Sequence, residues 1–480
     1  LEVKCAVHQD PLCEDKSLTQ VKNLRAYLKR TRSLAVCTSN DLLNVLKPSA
    51  VHTSLAFDAV EDIDDMVVLG IYDGETTTHD ADTYDGVIEG FYFSSKRLLN
   101  NLVEAIRVID INHNGIFLHV DGTYKLLLNG WTMLIVSISC LTYCRERKEF
   151  PHCARPIAFG FVTTESQASY SGLFKCVTYA FATFYDIHDI PVRAANTDRT
   201  AFMQNAIHEY WPLASLLSCY FHVMKNVRAH CVRVYWESTV KHDMRVLHLC
   251  SDRPVFLAMV PIVLAKWRAD GHADIATYLQ DTYLEERWDK WYLGCLPFHG
   301  TDNTNNSLES HNKWIKLVMG KTRLSLADMV MRQLPRFLDF SYNPVYNTYT
   351  SIQAMDDMLI PHQLWKSVST TCSNVPFNVK LVDNAYWIND SIYRDKLQVT
   401  TERIDTYMQL QRVNTVVEGT TPTLDEFKSR YQSLHKVINV NGTFMCTCKY
   451  YAHSSLLCSH VLAVIHISKT CRTIKATKKR

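Results

Sequence analysis

The sequence predicts an α/β (α+β) protein: a strand-rich core, interrupted by an all-helical insertion and followed by a helical C-terminal region and a small Cys/His module. Three observations carry this. Between residues 116 and 198 the apolar pattern reads as strand, strand, strand, helix, strand. From 200 to 293 it turns helical and rich in Trp, His and Arg, with no convincing strand pair. Near the end, Cys446, Cys448, Cys458 and His460 stand as two close pairs of ligand-type residues.

Each element has a local reason. Thr19 precedes a run in which Val21, Leu24 and Leu28 share one helical face and basic groups the other, a basic amphipathic helix. Residues 58–65 are acidic and 72–86 are rich in Asp, Thr and Gly, so this stretch reads as loop. Residues 116–121 and 124–128 read as strand, Asn129-Gly130 as a hairpin turn, and 131–140 as the return strand. A third strand is expected over 155–164, a helix over 171–186, and a short strand over 192–197 that ends at Asp198. Residues 323–430 read as mostly helical, broken near Pro344, Pro361, Pro376 and Pro422. A second Asn-Gly hairpin is expected at 441–442, with a helix over 460–467.

Composition narrows the function classes. The chain has 480 residues, 47% of them hydrophobic and 21% charged, enough for two to four domains with at least one large core. A formal net charge of +2 means that any affinity for nucleic acid must come from local patches. The longest apolar stretches run to about eleven residues, too short to span a bilayer, so no membrane partner is expected. The 16 cysteines are scattered without the density of a small secreted scaffold, which points to a reducing compartment. No signal peptide is visible, and the first residue is Leu1, so the chain is read as starting inside a longer protein.

Three carboxylates and one Cys/His pair are the candidates for chemistry. Asp121 stands at the end of an apolar strand in His119-Val120-Asp121-Gly122-Thr123-Tyr124. Asp198 follows the next strand after the helix, and Glu309 opens a helix in Asn306-Ser307-Leu308-Glu309-Ser310-His311-Asn312-Lys313-Trp314-Ile315-Lys316. Acids at two strand ends and one helix start can converge. Two carboxylates about 4 Å apart repel by about 4 kcal/mol at an effective dielectric of about 20, so such a cluster calls for cations. Hard oxygen donors suit Mg²⁺ or Mn²⁺. Each acid also has a plainer reading: Asp121-Gly122 as a turn, Asp198 as a helix cap, and Asn306-x-x-Glu309 as a capping box. Spacing alone does not choose. Cys219-Tyr220-Phe221-His222 has ligand-like spacing, though two ligands do not close a zinc site. Lys225 and Arg228 follow it, and Lys313 and Lys316 follow Glu309, as candidate phosphate contacts.

The order strand, strand, strand, helix, strand is that of the opening of an RNase H-like fold, which periodicity permits without requiring. Taken together, Asp121-Gly122-Thr123-Tyr124, Asp198 followed by Cys219-x-x-His222, and Thr304-Asn305-Asn306-x-x-Glu309 with Asn312 and Lys316 resemble the catalytic signature of Mutator-like (MULE) transposases. The resemblance covers about residues 90–335 for the core and 435–465 for the Cys/His module. It implies an RNase H-like core with Asp121, Asp198 and Glu309 as a catalytic DDE set served by Mg²⁺ or Mn²⁺. It also implies a helical insertion near 200–300, and Cys219 and His222 as a motif that structures the core or handles the DNA end. Cys446-x-Cys448, nine residues, then Cys458-x-His460 is the pattern of SWIM zinc modules, in which four ligands close a structural Zn²⁺ site.

The expected organisation is therefore an N-terminal helical, candidate DNA-binding region over 1–105 and a catalytic domain over 106–335. A helical region over 336–430, a SWIM-type zinc finger over 431–468 and a basic tail over 469–480 follow. The expected activity is cleavage at transposon terminal inverted repeats and strand transfer to target DNA, by a nuclear homo-oligomer. Two other readings stay open: a domesticated, DNA-binding regulator resembling the far-red-response regulators of plants, and a SWIM-type interaction protein without catalysis. Cys5, His8 and Cys13, and the group Cys140, Cys144, His152 and Cys153, read as ordinary cysteines and histidines rather than as metal sites.

Overall fold

The computed structural model describes residues 39–79, 86–108, 115–141, 151–297, 300, 304, 306–319, 323–340, 362–412, 424–425, 433–454 and 457–477. The basic helix expected over 21–30, the Cys5, His8 and Cys13 group, Cys144, Asn305 and the last three residues of the basic tail lie outside the described residues.

After helix α1 (Ser39–Leu46), strands β1 (Val67–Tyr72), β2 (Thr77–Thr78) and β3 (Gly90–Ser94) lead into helix α2 (Lys96–Val108). Then come β4 (Ile116–Thr123), β5 (Thr132–Leu141), β6 (His152–Val162), helix α3 (Gln167–Tyr185) and β7 (Val192–Thr197). Helix α4 (Ala201–Tyr210) and β8 (Ser215–Ser218) complete an eight-stranded sheet of order β2-β1-β3-β6-β5-β4-β7-β8. Pairing is antiparallel from β2 to β4 and parallel from β4 through β7 to β8. β4 is thus where strand direction changes its rule, and the carboxyl ends of β4, β7 and β8 lie along one rim.

Helices cover both faces of this sheet. On one, Leu118 and Val120 of β4 pack with Tyr170, Leu173, Phe174 and Val177 of α3. On the other, Met133, Ile135, Phe159 and Phe161 pack with Leu308 and Ile315 of helix α9 (Asn306–Met319) and Phe337 of α10 (Leu334–Phe340). Alternation along β4 therefore sends Val120 and Gly122 towards α3, and His119 and Asp121 towards α9.

Between β8 and α9 the chain is helical. It forms α5 (Tyr220–Ala229), α6 (Lys241–His248), α7 (Arg253–Ala269) and α8 (Ala273–Tyr283) around Trp267, Trp291, Met259 and Leu279. Asp252 caps α7 by accepting from the Val255 N–H at 3.0 Å. Buried Asp243 accepts from Lys266 Nζ at 2.8 Å and Trp267 Nε1 at 3.0 Å, which satisfies its charge inside this core. Beyond it lie α11 (His362–Ser373), β9 (Val379–Val382), β10 (Ala385–Asn389), α12 (Thr401–Arg412), β11 (Leu434–Val440), β12 (Thr443–Cys446) and α13 (Ser459–Thr477). The second sheet has the order β12-β11-β10-β9, all antiparallel. No helix among the described residues is long and apolar enough to cross a membrane.

The structure corrects the sequence reading in four places. Residues 67–94, read as part of a helical and loop region, contribute three strands to the main sheet, so the boundary expected near 105 falls inside one layer. β1 and β3 are buried on both faces and carry apolar runs without alternation. The stretch 200–293 contains β8, a four-residue strand too short to read by period. The connection from β4 to β5 is not a two-residue Asn129-Gly130 hairpin. β4 ends at Thr123, and the following segment is pinned by Leu126 and Leu127 against Leu324, with Leu128 N–H donating to the Leu324 carbonyl at 2.8 Å. Finally, the helical region expected over 336–430 contains the β9–β10 hairpin, whose turn residues Asp383 and Asn384 both take positive φ (49° and 60°). β10 pairs with β11, so the Cys/His module is built on a sheet shared with the region before it.

Candidate active site and metal centre

The rim of the main sheet gathers the acids that the sequence singled out. Asp121 lies near the end of β4 and Asp198 directly after β7. Glu309 lies in the first turn of α9. Cys219 follows β8, with its N–H donating to the Thr197 carbonyl at 3.1 Å, and α5 starts at the next residue. That turn brings His222 between two of the acids. Its Nδ1 stands 3.3 Å from Asp198 Oδ1 and its Nε2 stands 3.3 Å from Glu309 Oε1. Asn312, one turn along α9 from Glu309, donates from Nδ2 to Asp121 Oδ2 at 2.7 Å. Strand ends and helix starts thus converge.

The electrostatics follow from that crowding. Burial, then the charges of Asp198 and Glu309, push the Asp121 carboxyl up to about 7, with His222 acting the other way. Burial also raises Glu309, opposed by His222, Lys313 and Lys225. Burial works against a charged His222, yet its contacts with Asp198 and Cys219 push the imidazole up to about 11. His222 thus stands between two of the acids, with Lys225 and Lys313 near enough for their charge to be felt at Glu309. Lys225 and Arg228 are exposed on α5, as are Lys313 and Lys316 on α9.

The donor set can be tested against a hard divalent cation. Asp198 Oδ1 and Glu309 Oε1 are buried and make ion pairs with His222 without an aligned hydrogen bond. Asn312 is 6% exposed, and its Oδ1 is buried with no hydrogen-bond donor. Buried oxygens with unspent lone pairs, among carboxylates that repel one another, fit an oxygen-liking cation. The most compact ligand group at this rim, however, is Cys219, His222 and Glu309, with ligand atoms within 4.8 Å of one another; Asp121 and Asp198 do not join it.

The second centre is closed. Ligand atoms of Cys446, Cys448, Cys458 and His460 all lie within 4.8 Å of one another, and all four side chains are buried. Cys446 ends β12, and Cys458 and His460 come from the start of α13. The β11–β12 turn that delivers the first pair has Asn441 and Gly442 at φ 52° and 92°. Backbone N–H groups of Cys448, Tyr451 and Val461 each donate to a cysteine sulfur, of Cys446, Cys448 and Cys458 respectively, at 3.4 Å. His460 Nδ1 stands 3.8 Å from Cys446 Sγ, so that nitrogen faces the sulfurs. Burial and the neighbouring sulfurs push the Cys446 thiol up. Three sulfurs and one imidazole nitrogen, buried and with N–H donors already on the sulfurs, fit tetrahedral zinc. His435 leans on His460 with ring centroids 4.4 Å apart, and its Nε2 pairs with Asp390 at 2.9 Å. Sequence reading did not single out His435 or Asp390; they become visible only once β10 and β11 pair.

Comparison with known families agrees with this layout. Residues 117–226 match the MULE transposase domain, and residues 446–469 match the SWIM zinc finger. The chain therefore carries a MULE transposase domain followed by a C-terminal SWIM zinc finger. The first match spans Asp121, Asp198, Cys219, His222 and Lys225; Glu309 lies beyond it and rests on geometry. No curated protein matches the chain.

Proposed function

We propose that this chain is a DNA transposase of the MULE type, which cuts at the terminal inverted repeats of its element and joins the freed ends to target DNA. The observation that carries the proposal is that His222 lies between Asp198 and Glu309 while Asn312, one turn along α9 from Glu309, donates to Asp121, inside and just beyond a MULE domain. An RNase H-like description of the core is supported by the order β6-β5-β4-β7-β8, antiparallel through β4 and parallel thereafter. The helices between β8 and α9 would be its insertion.

Asp121, Asp198 and Glu309 would hold Mg²⁺ or Mn²⁺, which when bound supplies nucleophile activation and leaving-group stabilisation for phosphoryl displacement. Asn312 orients Asp121 through its amide. His222 holds Asp198 and Glu309 at a fixed spacing and offsets part of their charge. Lys225, Arg228, Lys313 and Lys316 would take the DNA phosphates on either side of the rim, fixing register without reading sequence. The zinc module is structural by its closed coordination and would orient the C-terminal sheet. Holding two transposon ends at once calls for at least a dimer, acting in the nucleus.

The test uses the repeats that flank the reading frame. With Mg²⁺ or Mn²⁺ the protein should cleave a duplex ending in those repeats and leave a 3′-hydroxyl. Asp198→Asn should bind the duplex and fail to cut it. Tight binding without cutting in either metal would favour a transposase-derived DNA-binding regulator instead.

A further inference from the structure

We propose that Glu165 is a fourth carboxylate of the rim site and supplies a divalent-cation ligand from the α3 face of the sheet; this rests on the metal-dependent reading above. The residue stands just before the helix cap of α3. Ser166 and Ser169 form a reciprocal capping box, each side chain accepting from the other's backbone N–H at 3.2 and 2.9 Å. That box fixes the chain direction at Glu165, and a second tether comes from one turn into the helix. The hydroxyl of Tyr170, itself fully buried, donates to Glu165 Oε1 at 2.6 Å.

These two restraints aim the carboxylate at the end of β4. A Cβ placed on Gly122 would stand 2.6 Å from Glu165 Oε1 and 3.1 Å from the Tyr170 hydroxyl, so only glycine leaves room for Glu165 to lie against the strand at the residue after Asp121. The other oxygen, Oε2, is buried and accepts no hydrogen bond. Asp198 is near enough for its charge to raise Glu165, after burial and against the Tyr170 hydroxyl. The charges of Asp121 and Asp198 both reach Tyr170.

The two faces of the sheet then play matching parts. Asn312 approaches from α9 and donates to Asp121, while Glu165 approaches from α3 and lies against Gly122, the next residue of the same strand end. Two ions about 3.5–4 Å apart need ligands on their outer sides as well as shared ones. Glu165 Oε2 is a hard oxygen with no other occupation on the side that α9 does not reach. Its neighbour Gly122 also acquires a reason beyond a turn: it makes the space.

The experiment is a titration of the zinc-loaded full chain with Mn²⁺, with free Mn²⁺ read by its electron paramagnetic resonance signal in the absence of DNA. Wild type should bind two Mn²⁺. Glu165→Gln, which keeps an acceptor for Tyr170, should weaken one of them at least tenfold while leaving the metal-free melting temperature unchanged. Tyr170→Phe, which removes one of the two restraints but keeps the carboxylate, should weaken that ion less than Glu165→Gln does; an equal loss there would make Glu165 a structural residue and overturn the proposal. Gly122→Ala should reproduce the Glu165→Gln loss by pushing the carboxylate aside. If Asp121→Asn loses Mn²⁺ and Glu165→Gln titrates as wild type, the role of Glu165 is wrong and the three-acid site stands. If neither variant differs from wild type, or wild type binds no Mn²⁺, the metal-dependent reading falls with it.

Discussion

Removing zinc from Cys446, Cys448, Cys458 and His460 should unfold more than the module that holds the metal. The three sulfurs are part of a small core with Ile388, Val437, Tyr451, Val461 and Val464, and Ile388 belongs to β10. Structural zinc contributes roughly 10–16 kcal/mol of apparent binding free energy in small modules at neutral pH. A whole domain has a net stability of about 5–15 kcal/mol, so a sheet of four short strands cannot absorb that loss. β11 pairs with β10 over five residue pairs, from Ala385↔Ile438 to Asn389↔Leu434, so its disorder should propagate back to residues 385–389. It should stop before the main sheet, which has its own two cores. Hydrogen exchange read by mass spectrometry, with and without a zinc chelator, makes the comparison. Amides of β10, β11 and β12 should lose protection, and those of β4, β5 and β7 should keep it. Cys458→Ser should give the same map without chelator. Retained protection across 434–446 after zinc removal would refute the reasoning, as would equal loss in the main sheet.

Three further outcomes are expected. His435→Ala, which removes the ring packed on His460, or Asp390→Asn, which frees that ring, should weaken zinc about 10-fold in competition against a chromophoric chelator. Unchanged affinity in both would make that pair a plain surface contact. Lys225→Ala with Arg228→Ala should weaken duplex binding and reduce the slope of log K against log salt by about two, since each phosphate contact contributes about 0.9. An unchanged slope would put the phosphates elsewhere. Asn312→Leu should cost about 1–3 kcal/mol in urea unfolding near pH 8, because it leaves the half-buried Asp121 carboxylate without its 2.7 Å donor. A neutral result would mean that water replaces the amide.

What the sequence disclosed depended on how local each signal was. The strand at 192–197 and the helix carrying Glu309 follow from period and flanking residues, and the structure has both. The Asn441-Gly442 turn follows from the φ that those residues accept. β1 and β3 escaped because strands buried on both faces lose the alternation that marks a half-exposed one. β9 and β10 left a usable signal, Asp383-Asn384 between alternating runs, which the helical reading of 323–430 passed over. Asn129-Gly130 misled for the opposite reason: the dipeptide accepts positive φ, but Leu126 and Leu127 gain more by packing on Leu324 than a tight hairpin would allow. In the candidate site, Asp121, Asp198 and Glu309 could be named from the chain, as could Cys219 and His222. That His222 bridges two of the acids could not, because the bridge depends on β8 lying beside β7. Glu165 was still less accessible, since a glutamate before a Ser-x-x-Ser cap reads as an ordinary helix entrance until Gly122 is seen beneath it.

The central claim is that the rim of β4 and β7 holds divalent cations. The direct measurement is metal-centred backbone cleavage: Fe²⁺ is supplied to the zinc-loaded protein in place of Mg²⁺, ascorbate and peroxide are added, and the cut sites are mapped by mass spectrometry. The account predicts cuts clustered near residues 121, 198 and 309, three places distant in sequence, suppressed by excess Mg²⁺ and lost in Asp121→Asn. Cleavage spread evenly along the chain, or clustered elsewhere and indifferent to Asp121→Asn, would contradict it.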